Sequence, residues 1–444
     1  MKERRNLSIS SQDLLIGRTT RYRHSKYHKV SVQQACRDIV NSISMSQSKL
    51  TVNGEYYMKS ISVKDVRIFI LFQQDLLGSK KYNGKNDILT YFHKHKMIQF
   101  DPVNICGRNA EIVLFSRFSN INKDDIYTLL YKEKSLMEAY DKKLCIILSD
   151  DWGKLEPVRQ RKASKRKTIA GLEEMKSHIL NNFSLYPVQG LDLYKETDTF
   201  RWYWKQNASL ARIAFEELFV EGKISICDRK NGIKVYELNN HYFEQTSRFD
   251  SVEEYYEWHI LRRMASMGIV WLSESAGWDY IPGAKQKIRR NILLKLVDQN
   301  VVTELYVEEI QKSFFCLTKD WEEFNKYRSR DYYTPRLEFI APLDSFIWDR
   351  NIIRNIFDFD YKWEIYIPQE KRQYCDYALP ILQNGILVGR IEMKIVNSCL
   401  SILNIWSESK DGVIDEFLLL ERAKEYAIYQ NCTKLSYKNE LFNL

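Results

Sequence analysis

The sequence predicts a mixed α+β protein with tandem winged helix-turn-helix units followed by a small C-terminal β-barrel. Amphipathic helices are repeatedly followed by a short strand, a turn and a returning strand. After Pro335 this pattern gives way to short β-like segments. The 444 residues are enough for several domains.

We expect five segments along the chain. They are a basic N-terminal extension over 1–60, a first winged-helix unit over 61–170, a second over 171–248, a third over 249–334, and a β-barrel with a terminal helix over 335–444.

The first unit begins with the segment VKDVRIFILFQQDLLG, whose apolar spacing predicts a helix. A second helix is predicted over 87–94, followed by the short extended segment MIQFD. We then expect a helix with Pro102 in its first position and Asp101 as its N-cap. Its apolar stripe would be Val103, Cys106, Ala110 and Leu114.

The second and third units each combine helices with a β-hairpin. LARIAFEELFVEGKISICDRKNGIKVYEL predicts a helix that ends at Gly222, a strand, a turn and a returning strand. Its hairpin would carry Arg229 and Lys230 as the wing of a winged helix. In the third unit, a helix closed by Gly268 precedes the basic helix AKQKIRRNILLKLVDQN and the β-ribbon formed by VVTELYVEE and SFFCLT.

The C-terminal segments LEFIA, YKWEIYI, YALPIL, ILVGRIEMKIV and SILNIW predict a small barrel or rolled sheet. Asn384–Gly385 is a strong hairpin signal between two of them. A final helix is predicted over 415–431.

Composition and charge narrow the function classes. The chain has no apolar run of membrane-spanning length, which indicates a soluble intracellular protein. Its eight cysteines form no C-x-x-C pair, so we expect neither a metal site nor a cofactor. The formal net charge is +9, and basic residues are concentrated in the first sixty residues and in KLEPVRQRKASKRK. Such blocks are typical of polyanion binders, although a solvated tail or loop is the alternative.

Three segments carry a resemblance to a known family. The most specific is APLDSFIWDRNIIRNIFDFDYKWEIYIPQEKRQYCDYALPILQNGILVGRIEMK, with its WDR, FDFDY, KRQY, LP and LVGR landmarks. The second is IQFDPVNICGRNAEIVLFSR, and the third is the GK-strand-turn-VYEL hairpin. Over about residues 62–444 the chain resembles the YcaQ-like (AlkX/AlkZ-type) winged-helix DNA glycosylases, which unhook interstrand crosslinks.

The family's Gln–hydrophobe–acid motif falls on Gln99, Phe100 and Asp101. The resemblance implies a DNA glycosylase that hydrolyses the N-glycosidic bond of N7-alkylated purines, including crosslinked guanines. An N7-alkylated guanine is already cationic and leaves without a general acid. A carboxylate can therefore activate water and stabilise the sugar cation, while the amide of Gln99 holds the water. In an extended segment both side chains would face one cleft, with Phe100 on the opposite side.

This motif contains no lysine, so we expect a monofunctional hydrolase that forms no Schiff base. The alternative interpretation of Asp101 is a plain N-cap. The alternative function is a non-catalytic winged-helix regulator, which needs no acid in its cleft and usually dimerises on paired half-sites.

The candidate DNA contacts lie on three parts of the chain. Arg108 and Arg117 follow the motif, and Arg229 and Lys230 lie on the wing. On the barrel the candidates are Arg350, Lys371, Arg372 and Tyr374. The structural alternatives are an Asp349–Arg350 ion pair and a core position for Tyr374. Trp202 and Trp204 are candidates for base stacking, with a core role as the alternative.

The sequence departs from the family at Cys375 and Asp376, and Asp141 stands where the family has the histidine of a W-x-H element. The resemblance implies double-stranded DNA with alkylated or crosslinked bases as the partner. We expect a monomer without membrane contact, located in the cytoplasm and associated with the nucleoid.

Overall fold

The computed structural model describes most of the chain after residue 58. The described residues are 59–164, 168–194, 199–201, 207–239, 249–328, 335–410 and 412–444. The predicted N-terminal extension lies outside them except for its last two residues, and so do Trp202 and Trp204. Among the described residues, none of the helices has the length and apolar character that crossing a membrane requires.

The first part of the chain builds a small sheet against short helices. In this sheet the strand over 97–99 pairs antiparallel with the strand over 143–148, which pairs antiparallel with the strand over 136–141. The helices predicted from VKDVRIFILFQQ and from 87–94 are confirmed. The elements are β1 (Lys59–Ile61), α1 (Val63–Gln73), β2 (Tyr82–Asn83), α2 (Asp87–His95), β3 (Met97–Gln99), α3 (Asn109–Phe115), β4 (Phe118–Ser119), β5 (Leu136–Asp141) and β6 (Lys143–Leu148).

The prediction of a helix that starts at Pro102 is wrong, because α3 begins only at Asn109. The intervening loop is fixed by the C-terminal part of the chain, where the hydroxyl of Tyr426 donates to the carbonyl of Cys106. Gly107 has a φ of +141°, and a Cβ there would lie 2.2 Å from the Tyr426 hydroxyl. Asp101 is therefore not a helix N-cap; Arg108 holds that position.

The second part contains the predicted helix and hairpin. Helix α6 ends at Gly222, whose φ of +77° suits a left-handed cap. Strands β10 and β11 pair antiparallel, and β7 extends the sheet beside β11. The elements are α4 (Glu156–Ala163), α5 (Leu172–Asn182), β7 (Val188–Gly190), β8 (Thr199–Arg201), β9 (Asn207–Ser209), α6 (Leu210–Glu221), β10 (Ile224–Lys230) and β11 (Ile233–Leu238).

The third part also contains its predicted helices and ribbon. Strand β1, from the start of the described chain, adds parallel to β12 and completes a three-stranded sheet. The elements are α7 (Val252–Met267), α8 (Gln286–Asp298), β12 (Val302–Val307), β13 (Lys312–Leu317) and α9 (Thr318–Tyr327). The helices and hairpins exist as expected, while their assignment to winged-helix units, and the five domain boundaries, remain predictions.

The C-terminal part is a curled half-barrel, so of the predicted small barrel or rolled sheet the structure has the rolled form. Its six strands are ordered from β14 to β19, and those two end strands are not paired with each other. Asn384 and Gly385 both have positive φ and form the predicted hairpin turn. The elements are β14 (Leu337–Phe339), α10 (Arg350–Phe357), β15 (Ala378–Gln383), β16 (Ile386–Val396), β17 (Cys399–Ser407), α11 (Glu416–Tyr429), β18 (Lys434–Tyr437) and β19 (Glu440–Asn443).

One hydrophobic core joins the first part of the chain to the half-barrel. Phe100 and Phe115 belong to the same buried cluster as Leu379 and Tyr426. The segment that follows β3 is therefore held between the small sheet and the half-barrel.

Candidate active site

Gln99 is the last residue of β3, and its side chain is nearly buried. It pairs with Cys145 in the sheet and is 8% exposed. Its backbone carbonyl accepts a hydrogen bond of 2.8 Å from Nδ2 of Asn109, whose Oδ1 accepts from the amide of Leu343 at 3.0 Å. Asn109 therefore ties the end of β3 to the half-barrel and fixes where Gln99 and the next residues lie.

Asp101 lies just beyond the strand and is half-buried. Its Oδ1 accepts a 2.9 Å hydrogen bond from the amide of Val103, while the structure gives Oδ2 no hydrogen bond within the described chain. Burial raises the pKa of this carboxyl, and the Val103 N–H partly offsets that effect. One hydrogen bond thus stabilises the carboxylate of Asp101, and its Oδ2 is available to accept from a ligand.

Phe100, between them, is buried in the core. The guanidinium of Arg229 lies 4.2 Å above the centre of its ring. Arg229 also forms an ion pair with the buried Glu138, with its Nε 2.8 Å from Oε1. The predicted wing residue therefore packs behind the motif and links β10 to β5.

Lys142 is a residue of this site that the sequence did not suggest. It lies at the apex of the β5–β6 turn, between the paired residues Asp141 and Lys143. Its Nζ donates to Oε1 of Gln99 at 3.4 Å and lies 4.7 Å from the ring centre of Trp348. Lys142 is only 6% exposed, and burial lowers its pKa to about 8. No local sequence signal marks it, because its contact with Gln99 spans 43 residues.

Asp141 is fully buried in a network of charges. It accepts hydrogen bonds from Nε of Arg262 at 2.8 Å and from Nη2 of Arg263 at 3.0 Å, and His259 Nε2 lies 3.0 Å away. These neighbours hold the pKa of Asp141 well below its usual range. Asp141 therefore anchors the hairpin that presents Lys142.

Arg108 and Arg117, the predicted DNA contacts after the motif, are engaged within the protein. Arg108 is partly exposed, donates to Glu111 and Tyr127, and caps α3. Arg117 is fully buried and forms a two-point ion pair with Asp344, at 2.7 and 2.9 Å. Its burial is incompatible with a direct DNA contact in this conformation, so we interpret Arg117 as a structural residue.

The remaining candidates differ in exposure. Lys230, at the tip of the wing, and Lys371 are exposed, and Arg372 is partly exposed. Tyr374 is also partly exposed, with the Arg390 guanidinium 3.7 Å from its ring centre.

Arg350 does not form the ion pair considered for it with Asp349. Asp349 instead accepts from the indole of Trp271 and caps α10. Arg350 stacks over Tyr361, and its Nη1 is buried without a hydrogen-bond partner in the described part of the chain. Arg350 therefore retains an unsatisfied cationic donor.

Cys375 and Asp376 lie close to Glu392. Among the described residues these three could bring one ligand atom each to within 4.8 Å of one another. Asp376 also lies 3.7 Å from Arg372, and Glu392 accepts from Asn404. The cluster has partners within the protein, and the absence of a metal remains a prediction.

Two comparisons relate the chain to known proteins. A family model described as DNA glycosylase AlkZ-like matches residues 95–408. The chain is similar to the solved structure of the Streptomyces sahachiroi DNA glycosylase AlkZ, with a TM-score of 0.54 at 13% identity, over 85% of this chain and 99% of that chain. At this identity the structural likeness shows a shared fold. The family match includes Gln99, Asp101 and Lys142.

Proposed function

Because the chain belongs to the AlkZ-like DNA glycosylase family, we propose that it hydrolyses the N-glycosidic bond of N7-alkylated purines in DNA and unhooks crosslinked guanines. The substrate would be double-stranded DNA carrying such bases. We further propose that the protein acts as a monomer, in the cytoplasm and near the nucleoid. A non-catalytic regulator, the alternative raised by the sequence, is not favoured by the family match.

The observation that carries this proposal is the hydrogen bonding and the raised pKa of the Asp101 carboxyl. Its Oδ1 is held by one backbone N–H, and the structure assigns Oδ2 no hydrogen bond within the described chain. The raised pKa makes the carboxylate a stronger base than an exposed aspartate. A base of this kind, with a free oxygen, suits removal of a proton from an attacking water.

Gln99 would complement this base by holding the water. Its Oε1 already accepts from Lys142, which leaves the Nε2 donor for the water. We propose that Nε2 donates to the water oxygen while Asp101 takes a proton. As the bond to the cationic base breaks, the carboxylate also stabilises the positive charge on the sugar.

The exposed basic residues would position the duplex. Lys230 on the wing and Lys371 on the half-barrel are free to approach phosphates, and Arg372 and Tyr374 lie beside Lys371. Arg350 would supply a buried cationic donor, because its Nη1 has no partner among the described residues. Arg108 and Arg229 would act indirectly, by holding the loop and the wing around the motif.

The test is release of base from duplexes that contain N7-methylguanine or a nitrogen-mustard crosslink. Wild type should release both, and Asp101→Asn should release neither. Asp87→Asn is a matched control, since Asp87 is also half-buried and accepts one backbone N–H, from Asn83. If Asp101→Asn releases base at the wild-type rate, the proposed catalytic pair is wrong. If wild type binds duplex but releases nothing, the regulator becomes the better interpretation.

A further inference from the structure

The amine of Lys142 lies beside Gln99, the residue to which the proposed function gives the attacking water. The turn between β5 and β6 places Lys142 alone between Asp141 and Lys143, and the side chain extends toward the end of β3. Its Nζ is 3.4 Å from Oε1 of Gln99, so the two side chains are in contact. The amine also lies 4.7 Å from the ring centre of Trp348.

The charge of Lys142 has no carboxylate partner. Within the described chain, the structure gives its Nζ no ion pair with an aspartate or a glutamate. The cations of Arg263 and Arg350 oppose its charge, while Cys145 and Asp279 favour it to a smaller extent than burial disfavours it. Burial is the largest effect and lowers the pKa of Lys142 to about 8. About a tenth of such an amine is uncharged at pH 7, and this uncharged form is the nucleophile.

We propose that Lys142 gives the protein a second activity, cleavage of the DNA strand at an abasic site through an imine between its Nζ and C1′ of the abasic deoxyribose. This activity rests on the proposed function, since base release would generate the abasic sugar in the same site. It replaces the expectation of a strictly monofunctional enzyme, which considered only lysines within the motif.

The steps balance with water as the only co-reactant. The Nζ lone pair attacks the C1′ aldehyde of the ring-opened sugar, and the aldehyde oxygen leaves as water. The resulting iminium acidifies C2′, whose proton passes to a base, for which Asp101 is the candidate. The C3′–O bond then breaks, and the phosphate leaves with the electron pair. Hydrolysis of the imine returns the lysine and leaves an unsaturated aldehyde on the 3′ end of one strand fragment.

The test uses the full chain and a duplex with a preformed abasic site, in the presence of sodium borohydride. The borohydride reduces the imine to a stable amine, so wild type should form a covalent adduct that peptide mapping places on Lys142. Adduct and strand cleavage should fall to background in Lys142→Ala and Lys142→Arg. Lys143→Ala should keep wild-type levels, because Lys143 is an exposed amine in the same turn.

If Lys142→Ala does not fold, Lys142→Arg tests whether Lys142 forms the imine, because arginine keeps the charge but cannot form it. The proposal is overturned if Lys142→Arg still forms the adduct, if mapping finds another residue, or if wild type forms none. Base release from N7-methylguanine is measured separately on the same proteins. Adduct without base release would contradict the proposed function alone, whereas base release without adduct would contradict only the role of Lys142.

Discussion

Asp101 and Asp141 are two aspartates near Gln99 with opposite surroundings. Asp141 is fully buried, and Arg262, Arg263 and His259 satisfy it. Asp101 is half-buried and accepts one hydrogen bond, from a backbone amide. The pKa of Asp141 is held below its usual range and that of Asp101 is raised. The comparison indicates that the satisfied acid stabilises the fold, while the unsatisfied acid is available for chemistry.

The same contrast separates neighbouring cations. Arg117 is fully buried and balanced by Asp344, so its charge contributes to the junction between the first part of the chain and the half-barrel. Lys142 is nearly as buried but faces an amide and an indole. Unpaired buried charges are costly for folding, which is why they are found mainly where function requires them.

The largest effect that this comparison predicts is on the stability of Asp141→Asn. Removing the carboxylate leaves Arg263 buried without an anion and Arg262 with Asp151 as its remaining partner, which should lower the free energy of unfolding by about 3–5 kcal/mol. Chemical denaturation at pH 7 measures it. Asp87→Asn is the control and should change stability far less. A loss of stability in Asp141→Asn no greater than in the control would show that the carboxylate of Asp141 does not stabilise the fold.

Lys142→Met should instead raise the free energy of unfolding. Because the folded protein lowers the pKa of Lys142 from 10.5 to about 8, folding is penalised wherever the free amine would be charged. The penalty is complete below pH 8 and disappears as the pH rises toward 10.5. Methionine removes it, so stability at pH 7 should rise by up to about 3 kcal/mol.

Denaturation curves at pH 7 and pH 10 check this expectation. The gain of Lys142→Met over wild type should be larger at pH 7. A loss of stability at pH 7 would instead make Lys142 a structural residue like Arg117.

The sequence predicted the locally determined parts of the fold. Gly222 and Gly268 end their helices, and Asn384–Gly385 turns its hairpin, because positive φ favours these residue types. The segment 102–108 was mispredicted as helix because its carbonyls at Cys106 and Gly107 accept from tyrosines of the half-barrel, at least 270 residues away. Contacts at that distance leave no trace in a local pattern.

The candidate site was predictable only in part for the same reason. The Gln99–Asp101 motif is local and could be identified from the sequence. Lys142 contacts Gln99 because it is the single residue of the β5–β6 turn, between the paired residues Asp141 and Lys143. This register is not visible in a local sequence pattern. The burial of Arg117 depends on its ion pair with Asp344, 227 residues away, which no local sequence pattern shows.

A smaller effect should appear in the pH dependence of wild-type base release. The raised pKa of Asp101 means that the carboxylate takes up its proton at a higher pH than an exposed aspartate. Single-turnover release should therefore decline as the pH falls through a value above the ordinary aspartate range. A rate that stays level down to pH 4 would argue against Asp101 as the base.

The most direct test of the account measures single-turnover base release by Asp101→Asn and Asp141→Asn side by side, per molecule of folded protein. We expect Asp101→Asn to stay folded and to lose base release, because only the chemistry depends on its carboxylate. Folded Asp141→Asn should keep release despite its lower stability. Release retained by Asp101→Asn and lost by folded Asp141→Asn would reverse the assignment and contradict the account.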